Sequence, residues 1–375
     1  MLPALSTTGG EHLAAVLRPA PASGMRRPAA AFVVGVVLAC APPFPGEVIY
    51  EGQCLQYAST DTEVCAGSFA LQESLIEALM ELTGVDEAIC PVQYSLVNSV
   101  EEYCGESAVA CNHGGTTSVY ASTPIELHEI THAVAIPGGL PGPRAFREGF
   151  AEVFDYYRGP DPSRVELRPV LMTEDGSIDG SAYYTMALFV RFLLQRHGWS
   201  PFLEFMSRTD HGDSYDKYSP IFEEVFGENL NAAIDAFADY PTCRHWDNRV
   251  ALVECGQEVV PWDGNTWQVM VDVDCSQPDV VGPMLFGDDD YIWTVRGLEI
   301  AESGEYWIVA LGDPEEWGSI RVTRCGSCWD AFSFDIRPSP DDAPSVELPA
   351  GRYFVEFTRR AAEPGELGFA VLRSP

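Results

Sequence analysis

Apolar positions along the first two thirds of the chain recur at helical spacing. Leu71, Leu75, Ile76, Leu79 and Leu82 fall on one face and predict a helix from Phe69 to Leu82. A strand follows over Pro91 to Val97 and a short helix over Ser99 to Cys104. The β-branched and aromatic stretch Thr116 to Ala121 reads as a further strand. Ser122 and Thr123 before Pro124 read as the cap of the next helix, which Pro137-Gly138-Gly139 stops. Further helices are expected over Arg144 to Tyr157, Ala182 to Arg196 and Ile221 to Phe237. The segment 41–66 reads as a short strand with loops. From about residue 248 the period changes to two. Val269, Val271 and Val273 alternate with polar residues, as do Tyr353, Val355 and Phe357, and Gly/Pro/Asp turns separate short strands to the end. Helices and strands are thus segregated along the chain, an α+β arrangement.

The first forty residues break this pattern. A short basic start, Met25-Arg26-Arg27, precedes an apolar run from Ala29 to Ala39 that suits the core of a signal peptide and is short for a membrane span. Val37-Leu38-Ala39-Cys40 resembles the lipobox of bacterial lipoproteins, which implies lipidation at Cys40 and a start at Met25. The organisation expected is a signal segment over 1–40, a first domain over 41–247 and a β-sandwich over 248–375. Export and a lipid anchor follow from this reading.

Composition narrows the function. The chain has 375 residues, 46% of them hydrophobic, and a formal net charge of −34. Such a surface repels phosphate backbones and anionic headgroups, which excludes nucleic-acid binding and polybasic membrane docking. Asp288, Asp289 and Asp290 are clustered without the spacing of a calcium loop. Cys40 is the first of eleven cysteines and leaves ten beyond it, an even set that favours disulfides in an exported chain. Cys104/Cys111 and Cys243/Cys255 are candidate local pairs. Cys325-Gly-Ser-Cys328 reads as structural.

The chemistry lies in Leu127-His128-Glu129-Ile130-Thr131-His132-Ala133-Val134. On a helix, His128 and His132 share a face and can turn two ring nitrogens to one metal ion. Glu129 projects beside them, where a carboxylate can take a proton from water. A catalytic zinc site needs a third protein ligand and one open position. Downstream, Glu148-Gly149-Phe150-Ala151-Glu152 supplies two candidates. This pair of motifs resembles the active-site helices of gluzincin metallopeptidases of the thermolysin and aminopeptidase types. The resemblance covers about residues 69–205 and implies a zincin-like domain with Zn2+ held by His128, His132 and Glu148. Spacing alone favours Glu152 as the third ligand, whereas the Glu-Gly signature favours Glu148. Glu152 then takes the place of the family's acid that hydrogen-bonds a ligand histidine.

The resemblance further implies Glu129 as general base and a tyrosine at the head of the next helix as oxyanion donor, Tyr184 or the adjacent Tyr183. It also implies that the strand Thr116 to Ala121 runs along the cleft as an edge to which a peptide or protein substrate pairs. His113, His197, His211 and His245 are poor ligand candidates, in loops or at a helix end. Two rival readings remain, a catalytically silent zinc protein and an adhesion module. The latter acts through exposed tryptophans of the sandwich, with Trp267, Trp293, Trp307, Trp317 and Trp329 as candidates.

Overall fold

The computed structural model describes residues 44–60, 63–85, 87–106, 108–155, 164–173, 180–240, 255–286, 289–325, 333–338 and 344–373. The leader with Cys40, and Cys243, His245, Asp288, Cys328 and Trp329, lie outside the described residues, as does the boundary expected near 248. No described helix is long and apolar enough to cross a membrane.

The amino-terminal part is built on a mixed five-stranded sheet, in which β1 (Glu47–Glu51), β2 (Leu55–Ser59), β3 (Val92–Leu96), β4 (Ala110–Asn112) and β5 (Ser118–Ala121) are ordered β1-β2-β3-β5-β4. β2, β3 and β5 run parallel, with antiparallel strands at both edges. Two of these strands, β1 and β2, lie in the segment read as a single strand with loops. β4 occupies what reads as a cysteine loop. Its three residues are too few for periodicity to register, and Cys104–Cys111 ties it to α2 (Glu101–Cys104).

α1 (Ala66–Thr83) and α3 (Leu127–Ala135) lie on this sheet, and the chain continues through α4 (Arg144–Glu152), α5 (Leu167–Leu171), α6 (Gly180–His197), α7 (Trp199–Arg208), α8 (Tyr215–Phe226) and α9 (Leu230–Phe237), which pack on one another. The expected helix over Ile221 to Phe237 is two, because Gly227 is left-handed at φ 70° and ends α8. The expected start near Pro124 also shifts. Tyr94 and Tyr57 donate their hydroxyls to the carbonyls of Thr123 and Pro124, and α3 begins only at Leu127. These tertiary bonds occupy carbonyls that a helix would otherwise use. Val85 packs where a Cβ on Gly138 would stand, so the loop after α3 closes against the end of α1.

Beyond residue 255 the chain forms two antiparallel sheets. One has the order β11-β10-β13-β8-β7, from β7 (Val281–Phe286), β8 (Asp289–Ile300), β10 (Gly318–Arg324), β11 (Ser333–Ile336) and β13 (Gly351–Arg360). The other has the order β12-β9-β14-β6, from β6 (Thr266–Val273), β9 (Gly304–Leu311), β12 (Ser345–Leu348) and β14 (Gly365–Arg373). Trp267, Val271, Ile308 and Phe369 of the second sheet share a core with Ile320, Val322, Val355 and Phe357 of the first, a sandwich-like packing. Residues 44–375 nevertheless group as one compact unit. Cys65, at the head of α1, is bonded to Cys275, and Gly67 N–H donates to the Val280 carbonyl at 2.9 Å. Val281 and Trp293 complete the hydrophobic core that lies under the helices.

Four disulfides are formed among the described residues: Cys54–Cys90, Cys65–Cys275, Cys104–Cys111 and Cys255–Cys325. The Cys104/Cys111 pair is as expected from sequence. Cys255 pairs with Cys325 rather than Cys243, because the 255–262 segment lies across the outer face of β8 and β13. This many disulfides is compatible with an extracytoplasmic protein.

Candidate metal centre

α3 turns one face to the sheet and the other to α4. Leu127, Ile130 and Val134 enter the core, while His128 and His132 meet Glu148 of α4. Three atoms converge there. Glu148 Oε2 lies 3.2 Å from His128 Nε2 and 3.1 Å from His132 Nε2, and the two nitrogens are 3.1 Å apart. All three residues are buried. Two imidazole nitrogens and a carboxylate oxygen in a near-equilateral triangle form a poor hydrogen-bond set, since three acceptor positions face one another across few protons. As a ligand set it is good. Four ligands at ~2.0–2.1 Å around a tetrahedral ion stand roughly 3.3–3.4 Å apart, close to the separations here. The donor set therefore fits a divalent metal ion with one position left open.

Neighbours fix this triangle. Glu152 Oε2 contacts His128 Nδ1 at 3.2 Å, which sets the ring orientation and leaves Nε2 for a metal. The Arg147 guanidinium donates to Glu148 Oε1 at 3.0 Å, so only Oε2 faces the histidines. Glu148 is thus the carboxylate inside the triangle and Glu152 the one behind it. Gly149 explains the Glu-Gly pair physically. A Cβ there would meet the backbone of Met186 on α6 at 2.8 Å, so glycine lets α4 and α6 approach closely.

Burial opposes a charge on His128, but hydrogen bonds to Glu148 and Glu152 outweigh it and raise its pKa well above the usual imidazole value. Burial likewise opposes a charge on Glu148. The hydrogen bonds of His128 and His132 override it and hold the carboxyl well below the usual range. Behind α3, burial and the Asp155 carboxylate push the pKa of Glu126 up.

Glu129 stands beside the triangle, half-buried. Its Oε2 accepts the backbone N–H of Asn112 at 2.7 Å, and that N–H lies on the open side of β4. The tyrosine at the head of α6 is Tyr183 and not Tyr184. The Tyr183 ring stacks on His128, with centroids 5.6 Å apart and planes 5° apart. Tyr184 is turned about 100° away on the helix and is buried in the hydrophobic core. Burial first, and then the Glu148 charge, raise the Tyr183 pKa, so its hydroxyl keeps its proton at neutral pH. β5, expected as an edge strand, is paired on both sides, and the edge beside it is β4.

His113 packs edge-on against Tyr120, and His197 pairs with Glu228 at 2.6 Å. His211, expected in a polar loop and not as a ligand, lies exposed between α7 and α8. Partial burial and the charges of Arg147 and Arg144 lower its pKa. Of the described tryptophans, Trp267 and Trp293 are core. Trp307 lies on β9, whereas Trp317 precedes β10 and packs against Tyr291.

No family model matches the chain, and no curated protein matches it. Among solved structures it is similar to aminopeptidase A of Legionella pneumophila, at 11% identity and a TM-score of 0.31. That match covers 84% of this chain and 35% of the other, so the chain spans about a third of that protein's length. The pre-peptidase C-terminal domain of a Bacillus anthracis collagenase matches at 9% identity over 28% of this chain and 88% of its own, with a TM-score of 0.21. A carbohydrate-binding module of Cellvibrio mixtus lichenase 5A matches at 19% identity, covering 30% and 88%, with a TM-score of 0.17. At these scores the comparisons assign neither family nor activity.

Proposed function

We propose that this protein is a zinc-dependent metallopeptidase, exported and anchored through lipid at Cys40, that hydrolyses peptide bonds. The observation that carries the reading is the buried triangle of two Nε2 atoms and one carboxylate oxygen with an additional carboxylate, Glu129, beside it. His128, His132 and Glu148 would hold the metal. When bound, zinc supplies a Lewis acid that polarises a carbonyl and makes nearby water more acidic.

The remaining steps belong to the chain. Glu129 takes the proton of the attacking water through Oε1, which carries no hydrogen bond among the described residues, while Asn112 N–H steadies Oε2. After the hydroxyl adds to the carbonyl carbon, the same carboxyl returns the proton to the departing amine as the C–N bond breaks. Tyr183 O–H donates to the oxygen on which negative charge develops. The substrate backbone pairs with β4, where Ala110, two residues from Asn112, presents its N–H and carbonyl to the open edge.

Metal content tests this directly. The purified protein is expected to carry about one zinc per chain, and His132→Ala and Glu148→Ala to lose it. Zinc retained by both variants, or absent from carefully prepared wild type, overturns the reading.

A further inference from the structure

The α4 wall of the site carries positive charge that hydrolysis does not use. Arg147 is engaged by Glu148, and its side chain is only 16% exposed. Arg144 lies one turn earlier, four residues before Glu148 and therefore on the same face of α4. Its charge reaches the Tyr183 phenol on α6 and the His211 imidazole on the α7–α8 connection. Arg144 is half-buried, yet it has no ion-pair or hydrogen-bond partner among the described residues. The carboxylates of the site have other partners: Glu148 the histidines and Arg147, Glu152 His128, and Glu129 the Asn112 N–H. In a chain with 22 basic and 56 acidic residues, an arginine left without a carboxylate at such a place is conspicuous.

We propose that Arg144 takes a carboxylate of the substrate, so that this site binds peptides bearing a negative charge next to the scissile bond. The proposal rests on the peptidase reading above. A guanidinium matches a carboxylate in shape and offers two parallel N–H donors, an arrangement worth more when it is partly withdrawn from water. The net charge of −34 repels an anionic peptide at a distance. Physiological salt screens that repulsion beyond about 8 Å, and the contact at Arg144 decides the outcome. Two sources offer this carboxylate, the free C-terminus of a short peptide or an Asp/Glu side chain.

The experiment uses the full zinc-loaded chain carrying Glu129→Gln, so that binding is read without turnover. Three peptides of one neutral sequence are compared by calorimetry: with a free C-terminal carboxylate, with a C-terminal amide, and as the amide with one Asp replacing a neutral residue. One of the two anionic peptides is expected to bind about 10- to 100-fold more tightly than the neutral amide, the range of a charge-assisted bond. Which one does so identifies the source. Arg144→Gln brings that ratio to about one, and Arg144→Lys keeps part of it. Equal binding of all three peptides, a preference for a basic peptide, or a preference that survives Arg144→Gln overturns the proposal. Hydrolysis by the wild-type chain is scored separately on a mixed peptide library. An inactive wild type with an Arg144-dependent preference refutes the peptidase reading alone, and an active one without the preference refutes this proposal alone.

Discussion

In the proposed scheme Glu129 and Tyr183 carry the chemistry, and their roles separate in simple variants. Glu129→Gln keeps the shape and the Asn112 contact but cannot accept a proton, so kcat is expected to fall roughly 10²–10⁴-fold with zinc retained. Hydrolysis at the wild-type rate by that folded, zinc-loaded variant would sink the scheme. Tyr183→Phe removes one oxyanion donor and is expected to lower kcat by about 10²-fold with little change in KM. Tyr184→Phe is expected to leave kcat nearly unchanged, because Tyr184 is buried in the core and not stacked on His128. The pairing of His128 with His132 is legible in sequence, since a four-residue spacing fixes one helix face. Sequence left Tyr183 and Tyr184 undecided, because adjacent residues differ by a phase that only the helix boundary sets.

The same residues give the metal-free protein a pH signature. Glu148 has a depressed folded pKa, so its contribution is present above about pH 4.3 and is lost as pH falls. His128 has a raised folded pKa, so its contribution is full below about pH 6.5 and is lost as pH rises. The chelated protein should therefore melt highest between about pH 4.3 and 6.5 and lower by pH 9. Glu148→Gln should flatten that profile. A melting temperature that climbs from pH 6.5 to 9 in the chelated wild type contradicts this account.

At the scale of elements, the site depends on how closely α4 lies against α6. Gly149 makes that approach, with the Met186 backbone where a Cβ would stand. Gly149→Ala forces the helices apart and carries Glu148 away from the histidines and from Tyr183. A loss of about 1–3 kcal/mol in stability is expected, together with weaker zinc binding by competition with a chelator. Unchanged zinc affinity would show that the helix spacing does not position the ligand. The long helices were legible because their apolar faces repeat over several turns. β4 was not, since its role comes from being the outermost strand, a fact of pairing between distant segments and not of its own three residues. The α3 start departs from the local signals for a related reason. Two tyrosines from β2 and β3 claim the carbonyls that local signals assign to a first turn.

On the scale of the whole molecule, sequence texture separates a helical part from a sandwich, but the contacts join them. Ser68 Oγ donates to the Gly282 carbonyl at 3.0 Å and accepts the Gly282 N–H at 2.8 Å, and Cys65–Cys275 closes 210 residues of chain. Trp293 of β8 belongs to the core under the helices, whereas Trp267 of β6 belongs to the sandwich core. A Cβ at Gly67 would stand 2.5 Å from the Val280 carbonyl oxygen, so Gly67→Ala loosens this seam without touching either core or the disulfide. If the two parts unfold as one cooperative unit, Gly67→Ala lowers the temperature of zinc release and of tryptophan exposure together, by several degrees for about 1–3 kcal/mol. If they are independent, the sandwich keeps its own transition and only zinc release moves. Cys65→Ser with Cys275→Ser should act in the same direction, by roughly 2–4 kcal/mol. The contacts favour the first outcome.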